Sequence, residues 1–294
     1  MIRVNGIEIN VEHFPDGTQR LVGINKRDNW EDGYDIVWQY SNDEELFTLY
    51  CLVKHIRNVF DAKAKIKLHM CYIPNARMDR THKEDEVFTL KYFAEFINSL
   101  NFDEVSVMDA HSNVSLGLLN NVRQININGI LDNVITDIFY SNEDVTAENI
   151  CFYFPDDGAM KLYKDNTVCN GRKLFYGKKT RDWDTGKIIG LEIFNEHGEK
   201  IKDVSGKSFL MIDDIVSYGG TLAYSADELK QCGANKVFAY VSHTENSVLD
   251  KERGTLLARL NNGTVNRLFT TNSLYTGDRE QNMIANITVY DILN

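Results

Sequence analysis

Residues 208–226 read Ser-Phe-Leu-Met-Ile-Asp-Asp-Ile-Val-Ser-Tyr-Gly-Gly-Thr-Leu-Ala-Tyr-Ser-Ala, and the reading of this stretch decides the fold. Phe209–Ile212 is an apolar run of strand length, and two acids, Asp213 and Asp214, follow it directly. Ile215-Val216 leads into a small-residue loop, Ser217-Tyr218-Gly219-Gly220-Thr221, and then into an alanine- and leucine-bearing segment of helical character. A strand, an acidic pair, a glycine loop and a helix start are the parts of a site for a polyol and a phosphate. Backbone N–H groups of such a loop and the helix N-terminus hold an oxyanion. Carboxylates fixed at a strand end hold ribose hydroxyls or a metal. The plain alternative is a tight turn into a helix. Adjacent carboxylates at one strand end weigh against it, because they repel unless something cationic or hydroxylic sits between them.

The totals narrow the class. With 294 residues there is room for two domains of ordinary size. A hydrophobic content of 43% with 26% charged residues describes a water-soluble globular chain. No apolar run approaches the ~18 residues of a membrane span, and the first residues lack the basic-then-apolar pattern of a signal peptide. Cys51, Cys71, Cys151, Cys169 and Cys232 are scattered, with no CxxC pair. Neither a disulfide framework nor a structural zinc site is signalled, and a reducing cytoplasm is expected. The net charge of −11 argues against a nucleic-acid partner, while an anionic small substrate would need local cations or a metal.

Along the chain, residues 1–25 read as short strands interrupted by the turn His13-Phe14-Pro15-Asp16-Gly17-Thr18. Tyr34–Tyr40 reads as a strand, Glu44–Phe60 as a helix and Ile66–Ile73 as a strand. The last runs into a charged loop containing Arg77, Asp79, Arg80 and Lys83, whose guanidinium forks suit a polyphosphate but which also fits a solvated turn. Thr89–Leu100 is expected as a helix with Leu90, Phe93, Ala94 and Ile97 on one face. Glu104–Met108 is a strand running into Asp109-Ala110-His111-Ser112, where His111 is a candidate metal or phosphate contact. A boundary is placed near Asn128. Asn149–Phe154 is a strand ending in Pro155-Asp156-Asp157-Gly158. Leu174–Tyr176 is a short strand ahead of a mobile basic loop, Gly177 to Lys187. Ile188–Phe194 and Ile201–Val204 read as hairpin strands, Ser225–Gln231 as a helix, Lys236–Ser242 as a strand, Leu256–Leu260 as a helix, Arg267–Thr270 as a strand and Ile287–Leu293 as a strand or helix. Strands alternating with helices imply parallel sheets and an α/β class.

The opening stretch resembles the phosphoribosyl pyrophosphate (PRPP) loop of the type I phosphoribosyltransferase fold, and the chain from about Phe14 to His243 resembles the ribose-phosphate pyrophosphokinase (PRPP synthetase) family. Phe14-Pro15-Asp16-Gly17-Thr18 is similar to the family's FSDGE turn, and Tyr72–Arg80 to its PYxxYARQDR. Asp109-Ala110-His111-Ser112 is similar to its DLH(A/S), Phe154–Ala159 to its SPDxGG, and Gly177-Lys178-Lys179-Thr180 to the DKRR that begins its flexible catalytic loop. The resemblance implies two phosphoribosyltransferase-type domains, each a mainly parallel sheet flanked by helices, with the active site between them. Residues 1–128 would form the ATP-side domain and 129–294 the ribose-side domain, with room for the last residues to return to the first. The implied reaction is transfer of the β,γ-diphosphate of MgATP to the 1-hydroxyl of ribose 5-phosphate, giving PRPP and AMP. Phe14, Asp16, Arg77, Asp79 and Arg80 would bind ATP, and His111 and Asp156 would hold Mg2+. Asp213 and Asp214 would take the ribose hydroxyls, and Ser217, Tyr218, Gly219, Gly220 and Thr221 the 5′-phosphate. Lys178, Lys179 and Arg181 would be the catalytic cations, Lys178 stabilising the transferring diphosphate. Neither nucleic acid nor membrane is an expected partner, and a homo-oligomer of two or more copies is.

The departures from that pattern also speak. Thr18 stands for the family's Glu, Met78 for its Gln, Gly177 for its Asp and Thr180 for a loop arginine, which Arg181 is placed to replace. Ser217 and Tyr218 stand for Asp and Thr inside the phosphate loop, and a tyrosine there can stack on a base or cap an extended group. The alternative acceptor is therefore ADP-ribose, as in phage-encoded relatives of this pattern that act in NAD rebuilding. An alternative of another class is a non-catalytic regulatory protein of the PRPP synthetase-associated kind.

Overall fold

A computed structural model of the chain describes residues 1–24, 33–181 and 188–293. It divides into two compact units, Met1–Asn126 with Ile292–Asn294, and Ile127–Asp291.

The first unit begins with β1 (Ile2–Val4), β2 (Ile7–Glu8), the hairpin β3 (Asn10–His13) and β4 (Gln19–Val22), and β5 (Tyr34–Trp38). Helix α1 (Glu44–His55) continues through a π-helical turn and leads to β6 (Ile66–Met70), α2 (Thr89–Ser99), β7 (Glu104–Met108), α3 (Asn113–Leu118) and β8 (Val122–Ile125). The sheet order is β2-β1-β5-β6-β7-β8. From β5 to β8 every pairing is parallel, with antiparallel edges at β1 and β2. In β6 the alternate residues Ile66, Leu68 and Met70 are buried, as a strand's period of two requires. On α2 the buried set is Leu90, Phe93, Ala94 and Ile97, the stripe its spacing predicts.

The second unit comprises α4 (Asn128–Ser141), β9 (Ile150–Phe154), α5 (Asp157–Tyr163), β10 (Leu174–Arg181), β11 (Ile188–Asn195), β12 (Lys200–Ile201) and β13 (Ser208–Val216). Then follow α6 (Gly220–Gln231), β14 (Val237–Thr244), α7 (Thr255–Asn261), β15 (Arg267–Thr271), α8 (Arg279–Ile284) and β16 (Ile287–Tyr290). Its sheet order is β12-β11-β10-β9-β13-β14-β15-β16, parallel from β10 to β16 and antiparallel at the β10-β11-β12 edge. Central strands are apolar on both faces because helices cover both. Every residue of β9 and of β14 is buried. The chain runs from β9 out to β10 on one side and later returns to β13 on the other. This reversal opens a crevice at the carboxyl ends of β9 and β13, the place where open α/β sheets bind ligands.

The α/β class with mainly parallel sheets is as the sequence implies. Three local expectations are corrected. Gly177–Arg181 belongs to β10 and pairs with β11, so these residues form a strand and not the start of a loop. Their polar character misleads because one face of a hairpin edge tolerates charge. Residues 182–187 of the expected loop lie outside the described residues. Helix α6 starts at Gly220, five positions before Ser225, because the left-handed Gly219 (φ 83°) turns the chain directly into the helix. The strand expected at Ile201–Val204 is only Lys200–Ile201.

Candidate active site

In the second unit, four strand-end features converge. Asp156 follows β9 and caps α5, its Oδ1 accepting the Ala159 N–H at 3.0 Å. Asp213 and Asp214 lie in β13, before the loop Ser217–Thr221 enters α6. Lys179 reaches in from β10, its Nζ 3.4 Å from Asp156 Oδ2 and 3.4 Å from Thr221 Oγ1. Its side chain is only 12% exposed, so this ammonium is held between the carboxylate and the Thr221 hydroxyl.

Strand alternation separates the two lysines. Lys178 projects from the other face of β10, its ammonium 4.5 Å from the Phe194 ring centre and 5.9 Å from that of Tyr176. The sequence nominates both. The structure brings only Lys179 to Asp156 and Thr221, while Lys178 rests on aromatic rings. The Arg181 side chain lies outside the described residues.

Burial raises the Asp213 carboxyl pKa well above the usual carboxylate range, and the charges of Asp214 and Asp156 add to the effect. The Asp214 N–H, donating to Asp213 Oδ1 at 3.1 Å, and Lys179 pull the other way. The three acids burden one another electrostatically, and each offers carboxylate oxygen, the ligand type that Mg2+ takes. Among the described residues no group of three or more His, Cys, Asp or Glu converges in ligating geometry. Mg2+ is suited to such a place, since it takes one or two carboxylates and completes its shell with water and substrate phosphate.

The loop Ser217–Thr221 is pinned by residues after β14. The Tyr218 carbonyl accepts from Leu256 N–H at 3.2 Å and Thr255 Oγ1 at 3.0 Å. Ser217 Oγ and Ser247 Oγ lie 2.9 Å apart. A Cβ on Gly219 would stand 2.2 Å from Leu256 Cβ, so no other residue fits. Gly220 and Thr221 open α6, where unpaired backbone donors suit an anion.

In the first unit, the loop after β6 meets the loop after β7. Asp79 is buried, at 7% exposure, and takes Arg80 Nε at 2.8 Å and Nη2 at 3.3 Å. The Arg80 hydrogen bonds hold its carboxyl below the usual range, with Ser112 and the neighbouring charges of Arg80 and His111 assisting against burial. Asp109 takes a left-handed φ of 39° at the end of β7, turning the chain into His111. Arg77 and Arg80 are exposed, and Phe14 stands 51% exposed on the β3-β4 turn. Asp16 accepts from the Thr18 N–H at 3.0 Å and its hydroxyl at 2.7 Å, so Thr18, in place of a glutamate, closes that turn. His111 belongs to the first unit and Asp156 to the second.

Sequence reasoning missed Arg253, whose guanidinium lies 4.7 Å from the Tyr218 ring centre. Thirty-five positions separate them (253 − 218), and Lys251-Glu252-Arg253-Gly254 carries no motif that would mark the contact.

Known proteins resemble this chain in sequence and in fold. A phosphoribosyl transferase domain family model matches residues 150–260, which span β9 to α7. A ribose-phosphate pyrophosphokinase of Thermoplasma acidophilum is 27% identical over 244 residues, covering 81% of this chain and 78% of that protein. That of Pyrococcus furiosus is 28% identical over 241 residues, covering 80% and 77%. The chain is similar to ribose-phosphate pyrophosphokinases over most of its length. Against the family member of Chlorobaculum tepidum it is 26% identical over 221 residues, covering 75% of this chain but only 62% of that protein. The crystal structure of phosphoribosylpyrophosphate synthetase from Mycobacterium smegmatis has a similar fold, with a TM-score of 0.72 at 19% identity over 97% of this chain and 86% of that one. No helix among the described residues is long and apolar enough to cross a membrane.

Proposed function

We propose that the chain is an ATP-dependent pyrophosphokinase that transfers the β,γ-diphosphate of MgATP to the anomeric hydroxyl of ribose 5-phosphate, giving PRPP and AMP. The observation that carries this is the Lys179 ammonium, set between Asp156 and Thr221 at the mouth of the phosphate loop. The family likeness supports the same reading. In this reaction the C1 oxygen bonds to Pβ, the bond from Pβ to the α,β-bridging oxygen breaks, and that oxygen leaves with AMP. The hydroxyl proton passes to water.

The residues suit alignment and charge neutralisation more than covalent catalysis. Gly219, Gly220 and Thr221 take the 5′-phosphate on backbone donors and a hydroxyl. Asp213 and Asp214 orient the ribose hydroxyls, and Lys179 meets the negative charge growing on the transferring phosphates. Phe14, Asp16, Arg77, Asp79 and Arg80 serve ATP, with Asp79 buried as the anchor that aims Arg80. His111 in the first unit and Asp156 in the second are each a candidate Mg2+ ligand, and the ion would screen phosphate oxygens.

Incubation with ATP, Mg2+ and ribose 5-phosphate, with products resolved by mass, tests the reading: AMP and PRPP should form in equal amounts. No AMP from any ribosyl acceptor would overturn it and leave the regulatory alternative standing. A second acceptor, ADP-ribose, is favoured by one observation, the Tyr218 ring under Arg253 beside the phosphate loop. Assembly into two or more copies follows the family likeness, and light scattering on the purified chain checks it.

A further inference from the structure

Three separate segments bring Asp156, Lys179 and Thr221 together, and one buried side chain, Tyr153, meets all three. Tyr153 lies in β9, three positions before Asp156, and is fully buried. Its neighbours in the sheet are Phe175 of β10 and Met211 of β13. Strand alternation puts Gly177 and Lys179 on the Phe175 face of β10, the face that Tyr153 shares. Helix α6 adds Leu222, Ala226 and Leu229 to the same core cluster.

The Tyr153 hydroxyl leaves this core toward the carboxyl end of β10. A Cβ on Gly177 would stand 2.3 Å from it, so the strand lies directly on the phenol oxygen. On its other side is the Ser225 hydroxyl of α6, close but without the alignment of a hydrogen bond. Ser225 follows Thr221 by about one helical turn. The oxygen is thus a wedge between the strand that carries Lys179 and the helix that carries Thr221.

This wedge works against folding. Tyr153 Oη and Ser225 Oγ are both buried with no hydrogen-bond partner among the described residues. Stranded hydroxyls destabilise, because they give up water and receive nothing in exchange. A phenylalanine would fill the same core space and strand no oxygen at residue 153. Burial pushes the phenol pKa up, so the group stays a neutral hydroxyl. A destabilising group of this kind marks a place where function sets the geometry.

We propose that Tyr153 is a positioning residue: its hydroxyl sets the spacing of β10 from α6 and thereby holds the Lys179 ammonium between Asp156 and Thr221. It touches no reacting atom and acts only through Lys179. The proposal rests on the pyrophosphokinase reading in naming the reaction, while the placement of Lys179 belongs to the second unit alone and is read without turnover.

Tyr153→Phe removes the oxygen and keeps the ring. AMP release should fall about tenfold or more in kcat, with KM for ATP and acceptor within about twofold, while Tm rises by about 2–4 °C. Added to Lys179→Ala, the same change should lower AMP release no further. Without turnover, acylation of the folded chain by an amine reagent, followed by peptide mass mapping, should find Lys179 modified roughly threefold faster or more in Tyr153→Phe, with Lys178, on the other face, unchanged. Ser225→Ala withdraws the far side of the wedge and should loosen Lys179 in the same sense, which keeps the test open should Tyr153→Phe fail to fold. Full AMP release in Tyr153→Phe, unchanged Lys179 reactivity, a further loss in the double variant, or a fall in Tm alongside activity would each overturn the proposal. If the unmodified chain releases no AMP with any acceptor, the pyrophosphokinase reading fails, and Lys179 reactivity alone decides whether Tyr153 positions it.

Discussion

Gly219→Ala should damage the fold and the phosphate loop together, while Gly220→Ala, one residue on, should not. Gly219 has φ 83° and ψ 22° at the start of α6. An alanine held left-handed costs roughly 1–2 kcal/mol. Its Cβ would also lie 2.2 Å from Leu256 Cβ and 3.3 Å from Leu256 Cα and Cδ2. Leu256 cannot yield cheaply: it is fully buried in the core of the second unit, and its N–H is bonded to Tyr218 O. Overpacking of this kind costs about 1–3 kcal/mol. The sum, roughly 2–5 kcal/mol, converts to a loss of roughly 4–20 °C in Tm for a domain of this size. A Cβ on Gly220 meets nothing nearer than Thr255 Oγ1 at 3.9 Å, and its φ is not left-handed. Alanine there gains up to about 1 kcal/mol in helix propensity. Differential scanning calorimetry, following the transition of the second unit, measures both. Because relief of the clash must push the loop off Leu256, the Gly219 variant should also bind the acceptor's phosphate more weakly. A Gly219→Ala protein melting within 1 °C of the unmodified chain, or a Gly220→Ala protein just as damaged, would show that the loop is not anchored on Leu256 as argued.

Lys179→Ala should lower AMP release about 100-fold or more, the usual loss when one donor to developing charge is removed, and Lys178→Ala about tenfold or less; the reverse order would refute the assignment drawn from strand alternation. Asp156→Asn keeps an N-cap of equal quality for α5, so its Tm should stay within about 2 °C while Mg2+-dependent AMP release collapses, whereas Asp156→Ala should lose about 1 kcal/mol of stability as well. Asp213 has its folded pKa raised above the unfolded value, chiefly by burial. The folded state therefore binds its proton more tightly, and the ligand-free protein loses stability as pH rises from about 4, the unfolded carboxylate value, through the folded pKa. Asp213→Asn should remove that decline, so the Tm difference between the two proteins should widen with pH in the variant's favour; a difference that does not change with pH would contradict the origin given for the shift.

The legible parts of the fold are those in which local pattern and tertiary environment ask for the same thing. Phe209–Ile212 reads as a strand because a strand covered on both faces needs an unbroken apolar run, and each of the four is buried. The α2 stripe reads as a helix for the matching reason. The illegible parts are those where a distant partner changes what a residue type means. Lys178 and Lys179 look like solvated loop until β11 supplies a partner strand and, in Phe194, an aromatic bed for one, while Asp156, after β9, meets the other. Arg253 looks like surface until Tyr218 is beneath it.

The departures from the family pattern follow the same logic. Gly177, read alone, is the loss of an acidic residue. In the structure a Cβ there would stand 2.3 Å from the Tyr153 hydroxyl, 2.9 Å from Pro155 O and 3.0 Å from Leu191 Cδ1. Tyr153 is fully buried in β9, and Asp156 follows three positions on, so the space an aspartate would need is taken by the strand that positions the candidate metal ligand. Tyr218, read alone, obstructs a phosphate loop, but with Arg253 stacked on it and Asp250 holding Arg253 it becomes the wall of an adjoining cavity. Each departure is one half of a contact whose other half lies elsewhere in the chain. Restoring the family residue at one half alone should therefore harm this protein. At residue 177 the expected cost is overpacking, roughly 1–3 kcal/mol, felt in folding. At residue 218 it is felt in the choice of ligand.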